Sequence, residues 1–131
     1  MRALSDKVKQ LLGKQAFAHL ATVMPDGSPQ VSPVWVDVEG DTILVNSAEG
    51  RLKDKNIQRD KRVALSLTNP ENPYQAVMIR GRVTEITKQG ADQHIDKMAK
   101  KYLGKDKYPG RAPGEVRVLY RIEPEKVSTM N

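Results

Sequence analysis

The residues of this chain with the most evident potential for binding chemistry lie between positions 49 and 63. The segment reads EGRLKDKNIQRDKRV and places six cations against three acids within fifteen residues. Small residues precede it and an apolar, strand-like run follows it. A basic corner of this kind between two strands is typical of an anion-binding loop. A solvated charge run on a connector is the alternative interpretation, since such runs commonly mark only a surface.

The spacing of Arg51 and Lys53 decides which backbone conformation would let both reach one ligand. Residues two apart do not share a helical face, whereas alternate side chains of an extended segment point the same way. The sequence therefore predicts an extended segment here, with Leu52 turned toward the core. Asp54 is predicted to cap a short helix over residues 55–60, whose N-terminus adds to the attraction for an anion.

The size and composition of the chain restrict the other possibilities. Its 131 residues predict one domain spanning 1–131. The 22 lysines and arginines against 16 acids give a net charge of +6, which favours a phosphate-bearing or polyanionic partner. The absence of cysteine excludes disulfides, thiolate metal sites and a cysteine nucleophile. The start lacks the apolar run of a signal peptide and no run approaches a membrane span, so we expect a cytoplasmic protein with no membrane segment.

The hydrophobic pattern predicts a mainly β fold with peripheral helices. Ser5 is placed to cap a first helix that ends near Gly13, and helical periodicity recurs from Thr87 to Leu103. About six β-type runs complete the pattern: those at residues 17–23, 30–38, 42–47, 63–67 and 76–86 lie between the two helices, and the run at 116–122 follows the second. Turn residues at 24–27 and 39–41 predict sequential antiparallel pairing. We therefore expect an antiparallel barrel, with a polar loop at 105–114 as a candidate lid.

Several of these segments, taken in order, resemble the split β-barrel flavoproteins related to pyridoxamine 5′-phosphate oxidase, and more closely the branch that uses the deazaflavin coenzyme F420. The resemblance covers about residues 17–127. It rests on the motifs FAHLATV at 17–23, DGSPQVSPVW at 26–35, GRLKDKNI at 50–57, RD at 59–60, RV at 62–63 and IRGRV at 79–83. The ordered set is fairly specific, although each motif alone is weak.

The resemblance implies a split β-barrel homodimer with its cofactor in a cleft between two subunits. Coenzyme F420 is the expected cofactor, and flavin mononucleotide (FMN) is the alternative because its phosphate would meet the same cations. The residues implied as cofactor contacts come from three parts of the chain. They are the strand residues Val31, Ser32, Pro33 and Val34, the phosphate ligands Arg51 and Lys53 with Ser47 and Asn56 nearby, and Tyr74 and Gln75, from the same or the partner subunit.

The resemblance also implies a reaction. Reduced deazaflavin would pass a hydride to an electron-poor conjugated small molecule, while the protein supplies binding and orientation. No catalytic side chain and no metal site are expected, since His19 and His94 are the only histidines and lack further ligands. Trp35 is expected at the subunit interface, which we favour, in the core, or as a wall of the substrate pocket.

A non-enzymatic role is the second class of explanation. The protein would then be a nucleic-acid-binding barrel or a carrier of an anionic cofactor. Only six aromatic residues occur, and they do not alternate with the cations as in a base-stacking platform, so we expect no nucleic-acid partner. The sequence does not separate a carrier from an enzyme.

Overall fold

A computed structural model of the chain describes residues 3–130. Within this range the chain forms seven strands and three helices. In chain order they are α1 (Asp6–Leu12), β1 (Ala18–Val23), β2 (Pro29–Val34), β3 (Asp37–Glu39), β4 (Thr42–Ala48), α2 (Leu52–Arg59), β5 (Arg62–Asn69), β6 (Asn72–Thr87), α3 (Ala91–Leu103) and β7 (Arg117–Met130). The prediction of a mainly β, antiparallel fold with peripheral helices is confirmed, with seven strands instead of about six.

The strands form one antiparallel sheet in the order β2-β1-β5-β6-β7-β4-β3. The long strands β6 and β7 lie at its centre, and two register shifts along β6 bend the sheet around the core. Strand β2 is an edge strand, so one row of its backbone groups has no strand partner within residues 3–130. The core is apolar, and its largest fully buried side chain is Tyr120 of β7.

The run predicted as one strand over residues 30–38 is divided into β2 and β3. The division falls at Val36, whose backbone is bonded to side chains of α3 and not to a neighbouring strand. Its N–H donates to the Tyr102 hydroxyl at 3.1 Å, and its carbonyl accepts from Lys101 Nζ at 2.7 Å. The sequence pattern of β2 and β3 does not contain this tertiary contact.

The capping residues of α1 and α3 are the predicted ones, whereas two helices begin elsewhere than predicted. Ser5 caps α1 by accepting the Val8 N–H, and Gly104 ends α3 in the left-handed conformation at φ 71°. Helix α2 begins three residues before the predicted helix at 55–60, and α3 begins at Ala91 because Thr87 still belongs to β6. In the part of the chain that the structure describes, no helix combines the length and apolarity that a bilayer crossing requires.

Candidate functional site

The basic segment folds around Asp54. The prediction that Asp54 caps the helix is wrong. Helix α2 starts at Leu52, and Arg51 occupies the N-cap position with extended backbone angles of φ −66° and ψ 158°. Asp54 lies inside the first turn, where its buried carboxylate accepts the Gly50 N–H at 3.0 Å. The predicted extended conformation therefore holds for Arg51 but is wrong for Lys53, which is helical. The inward orientation predicted for Leu52 is also wrong, since that side chain is 48% exposed.

Arg51 and Lys53 nevertheless reach the same cavity. The helical-face argument fails because Arg51 precedes the helix, so its side chain does not follow the helical period. Together with Arg117 of β7 they line a cavity of about 200 Å³. We call these three residues the cation cluster. The other lining residues are Pro33, Val34, Trp35, Asn46, Ile95 and Tyr108.

Arg117 is the member of the cluster that sequence reasoning missed. Its side chain is 2% exposed and is held on two sides. Its Nε donates to Asn46 Oδ1 at 2.9 Å and its Nη1 donates to Glu115 Oε2 at 3.0 Å, while its guanidinium lies 5.1 Å from the centre of the Tyr108 ring. The available signal was an arginine directly before the apolar run at 118–120, since an arginine buried at the start of such a run needs partners.

A buried chain of polar contacts orients Asn46 and thereby Arg117. His94 Nε2 lies 3.1 Å from Asp37 Oδ2, and His94 Nδ1 lies 3.2 Å from the Asn46 amide nitrogen. Burial opposes ionisation of Asp37, but the hydrogen bonds from His94 and Lys97 outweigh it and lower the pKa of this carboxyl to about 2. His94 therefore links Asp37 to Asn46 and so supports the cation cluster.

The electrostatics of the cluster favour an anion. Burial, and then the nearby charges of Arg51 and Arg117, lower the pKa of the Lys53 amine below its ordinary value. Among residues 3–130, Lys53 has no acid within ion-pair distance, whereas Arg51 and Arg117 both pair with Glu115. A bound anion would therefore relieve repulsion among these cations.

Three of the four predicted residues of β2 line one of two cavities, and Ser32 lines neither. Pro33 and Val34 line the cavity beside the cation cluster, whereas Val31 lines a groove of about 350 Å³ on the outer face of the sheet. We call the second cavity the sheet-face groove. The Ser32 Oγ atom is buried, and no hydrogen-bond partner lies within its reach among the described residues.

The remaining predicted contacts do not line the cavity of the cation cluster. Ser47 is fully buried on β4, and Asn56 is buried under α2, where its amide donates to Thr22 Oγ1 at 3.0 Å. Tyr74 is 73% exposed at the start of β6, beside Gln75, whose side chain accepts from Asn69 at 2.8 Å. The structure thus brings Pro33, Val34, Arg51 and Lys53 together at the cavity. Ser47, Asn56, Tyr74 and Gln75 lie outside it.

Aromatic residues form the wall opposite the cations. Trp35 stacks on Tyr102 with ring centres 5.0 Å apart and meets Tyr108 edge-on at 5.9 Å. The loop at 105–114 carries Tyr108 and is tied to α3, since the Tyr108 N–H donates to Asp96 at 2.9 Å and Arg111 pairs with Asp92 at 3.3 Å. Trp35 therefore lines the cavity beside the cation cluster, and its expected place at a subunit interface stays a prediction.

Tyr120 fixes the turn that presents Arg51. Its hydroxyl donates to Asp54 Oδ1 at 2.6 Å, and burial followed by the Asp54 contact raises the pKa of Tyr120 well above its ordinary value. Replacing Tyr120 with phenylalanine should lower the free energy of unfolding by about 2 kcal/mol, because the buried Asp54 carboxylate loses a hydrogen bond.

Urea unfolding of the purified variant would measure this effect. Tyr74→Phe is the matched control, since its exposed ring should make the change cost less than about 0.5 kcal/mol. Equal stabilities of the two variants would show that the Tyr120–Asp54 contact does not support the turn.

Three comparisons place the chain among known proteins. The family model described as pyridoxamine 5′-phosphate oxidase matches residues 4–131. A search of curated proteins finds no significant match. A solved structure named F420 reductase is 30% identical, with a TM-score of 0.83 and coverage of 95% of this chain and 98% of that chain.

Two more distant structures share the fold. HupZ of Group A Streptococcus is 22% identical, with a TM-score of 0.68 and coverage of 96% of this chain and 93% of that chain. The conserved hypothetical protein Rv2991 of Mycobacterium tuberculosis is 20% identical, with a TM-score of 0.74 and coverage of 98% and 85%. The resemblance of the motifs and the split-barrel fold are thereby confirmed. The chain belongs to the pyridoxamine 5′-phosphate oxidase family.

Proposed function

We propose that this protein is an oxidoreductase that binds coenzyme F420 and reduces an electron-poor conjugated small molecule. The observation that carries the proposal is the cation cluster, in which a partly desolvated Lys53 lies beside two guanidinium groups and pairs with no acid among the described residues. The structure named F420 reductase, 30% identical to this chain, supports the choice of deazaflavin. FMN is the alternative cofactor, since its phosphate suits the same cations.

The size of the cavity indicates which part of the cofactor it would take. A volume of about 200 Å³ is below the range of roughly 300–1,000 Å³ usual for whole ligands. It suits a phosphate and the adjoining chain, with Arg51, Lys53 and Arg117 as the binding residues. The ring system would then lie along β2, where Val31, Pro33 and the free strand edge allow close approach and backbone hydrogen bonds.

The role of the protein would be to bind, orient and exclude water. When bound, the reduced deazaflavin supplies the hydride, and the proton that completes the reduction comes from solvent or substrate. Trp35 and Tyr108 would shield from water the side of the cavity that faces the ring system of the cofactor. No side chain is assigned as a catalytic acid.

We also propose that the protein is a homodimer. The outer face of the sheet exposes apolar side chains at the sheet-face groove and beyond it, with Val31 62%, Met78 39% and Met130 47% exposed. A second copy would cover this face. Tyr74 and Gln75, which do not line the cavity of their own chain, would then contribute to the site of the partner. Sedimentation of the purified protein tests this, and a monomer at micromolar concentration would contradict it.

A turnover assay tests the proposed activity and separates an enzyme from a carrier. Reduced coenzyme F420 in large excess over the protein is mixed with quinones and conjugated enones, and the absorbance of the oxidised cofactor is followed. An enzyme returns the whole cofactor pool to the oxidised form with at least one acceptor. Oxidation no faster than in protein-free controls, despite tight cofactor binding, would favour a carrier.

A further inference from the structure

Glu115 places a negative charge inside an otherwise cationic site. Its Oε1 lies 3.3 Å from Arg51 Nη2, and its Oε2 lies 3.0 Å from Arg117 Nη1. Its side chain is 9% exposed, so its charge is weakly screened by water. In the described range 3–130, it is the one acid that pairs with the cation cluster.

Glu115 does not fill the site. Arg117 donates through Nε to Asn46 and through Nη1 to Glu115, which leaves its Nη2 group without a recorded partner in residues 3–130. Arg51 uses only Nη2 toward Glu115, and the Lys53 amine has no hydrogen bond to any described residue. A ligand anion would therefore bind beside this carboxylate, with donors from all three cations available.

The charge of Glu115 affects ligands of different charge unequally. Three cations and one acid give the site a formal charge of about +2, and a phosphodiester carries a single negative charge. A phosphomonoester carries about −1.5 to −2 near pH 7, because its second proton leaves near pH 6. Since electrostatic repulsion scales with the charge of the ligand, a nearby carboxylate penalises the monoester about twice as strongly.

We propose that Glu115 is a specificity-determining residue, which lowers the affinity of the site for phosphomonoester dianions more than for phosphodiester monoanions. The inference rests on the proposed function and deepens it. Coenzyme F420 presents a phosphodiester, whereas FMN presents a phosphomonoester. Glu115 thus favours the deazaflavin within a set of cations that would otherwise suit FMN well.

Titrations of wild type and Glu115→Gln with phenyl phosphate, diphenyl phosphate, FMN and coenzyme F420 at pH 7.5 test the proposal. Glutamine keeps the size of the side chain and one oxygen acceptor. The substitution should raise the affinity for phenyl phosphate relative to diphenyl phosphate, and for FMN relative to coenzyme F420, by about tenfold. Glu49→Gln is the control, because Glu49 pairs with Lys88 outside the cluster and its replacement should leave this ratio unchanged.

The pH dependence gives a second readout. Between pH 5 and 7.5 phenyl phosphate becomes a dianion, so its affinity should rise more steeply for Glu115→Gln than for wild type. Diphenyl phosphate should show no such difference. Equal changes for monoester and diester, or weaker binding of both, would assign Glu115 a structural role and overturn the proposal.

The simple esters separate this inference from the proposed function. If the esters shift as expected but neither cofactor binds wild type, the charge preference stands and the F420 assignment fails. If both cofactors bind and the variant leaves their ratio unchanged, the inference fails and the assignment stands. No binding of any ester or cofactor to wild type or variant would overturn both.

Discussion

Replacing Lys53 with methionine should weaken binding of coenzyme F420 by about 2–3 kcal/mol, the value expected for loss of a charge-assisted bond to phosphate. The same change should raise the free energy of unfolding of the ligand-free protein by about 0.5–1 kcal/mol. The two effects have opposite signs because Lys53 is partly desolvated, faces two guanidinium groups and pairs with no acid among residues 3–130. In the ligand-free protein, the charge of Lys53 therefore lowers the free energy of unfolding, and a bound anion removes this effect.

Fluorescence titration measures the first effect and urea unfolding measures the second. Lys55→Met is the matched control, since Lys55 lies exposed on α2 and does not line the cavity. It should change binding and stability by less than about 0.5 kcal/mol. Unchanged binding in Lys53→Met, or loss of stability without ligand, would remove Lys53 from the anion site.

Replacing Gly81 with alanine should lower the free energy of unfolding by at least about 3 kcal/mol. Gly81 lies at a register shift between β6 and β7, where a β-carbon would collide with the Glu123 carbonyl oxygen and lie 3.2 Å from its carbonyl carbon. Both are backbone atoms and cannot move aside as a flexible side chain would. Relief of the clash requires the two central strands to separate at the bend of the sheet.

Gly13→Ala provides the control for this prediction. Gly13 has helical backbone angles of φ −80° and ψ −11°, and its nearest contacts to a β-carbon are ordinary ones of 3.4 and 3.5 Å. Alanine there should be neutral or slightly stabilising, because it restricts the unfolded chain. Denaturation of both variants gives the comparison. A difference below 1 kcal/mol between them would show that the sheet tolerates a side chain at Gly81.

The fold was largely predictable because its signals are local. Ser5 and Gly104 mark helix ends through capping chemistry, and the alternating runs mark strands. The division of the run at 30–38 was not predictable, because Val36 is bonded by Tyr102 and Lys101 from a helix more than sixty residues later. Tertiary contacts of this kind leave no periodic pattern in the sequence.

The candidate site was predictable only in part, for the same reason. Arg51 and Lys53 stand out as a local cluster of charge. Arg117 joins them only because β4 pairs with β7, which brings Asn46 beside Leu119 and close to the arginine that it orients. Asn56, which the resemblance implies near the phosphate, is bonded through its amide to Thr22 of β1, a contact that the local sequence does not contain.

A side-by-side titration of the purified protein with coenzyme F420 and FMN, followed by cofactor fluorescence at low and high salt, tests the central claim most directly. The account predicts tighter binding of coenzyme F420 than of FMN, with affinity that falls as salt screens the cation cluster. Preference for FMN would assign the protein to flavin chemistry, and binding of neither cofactor would contradict the proposed function.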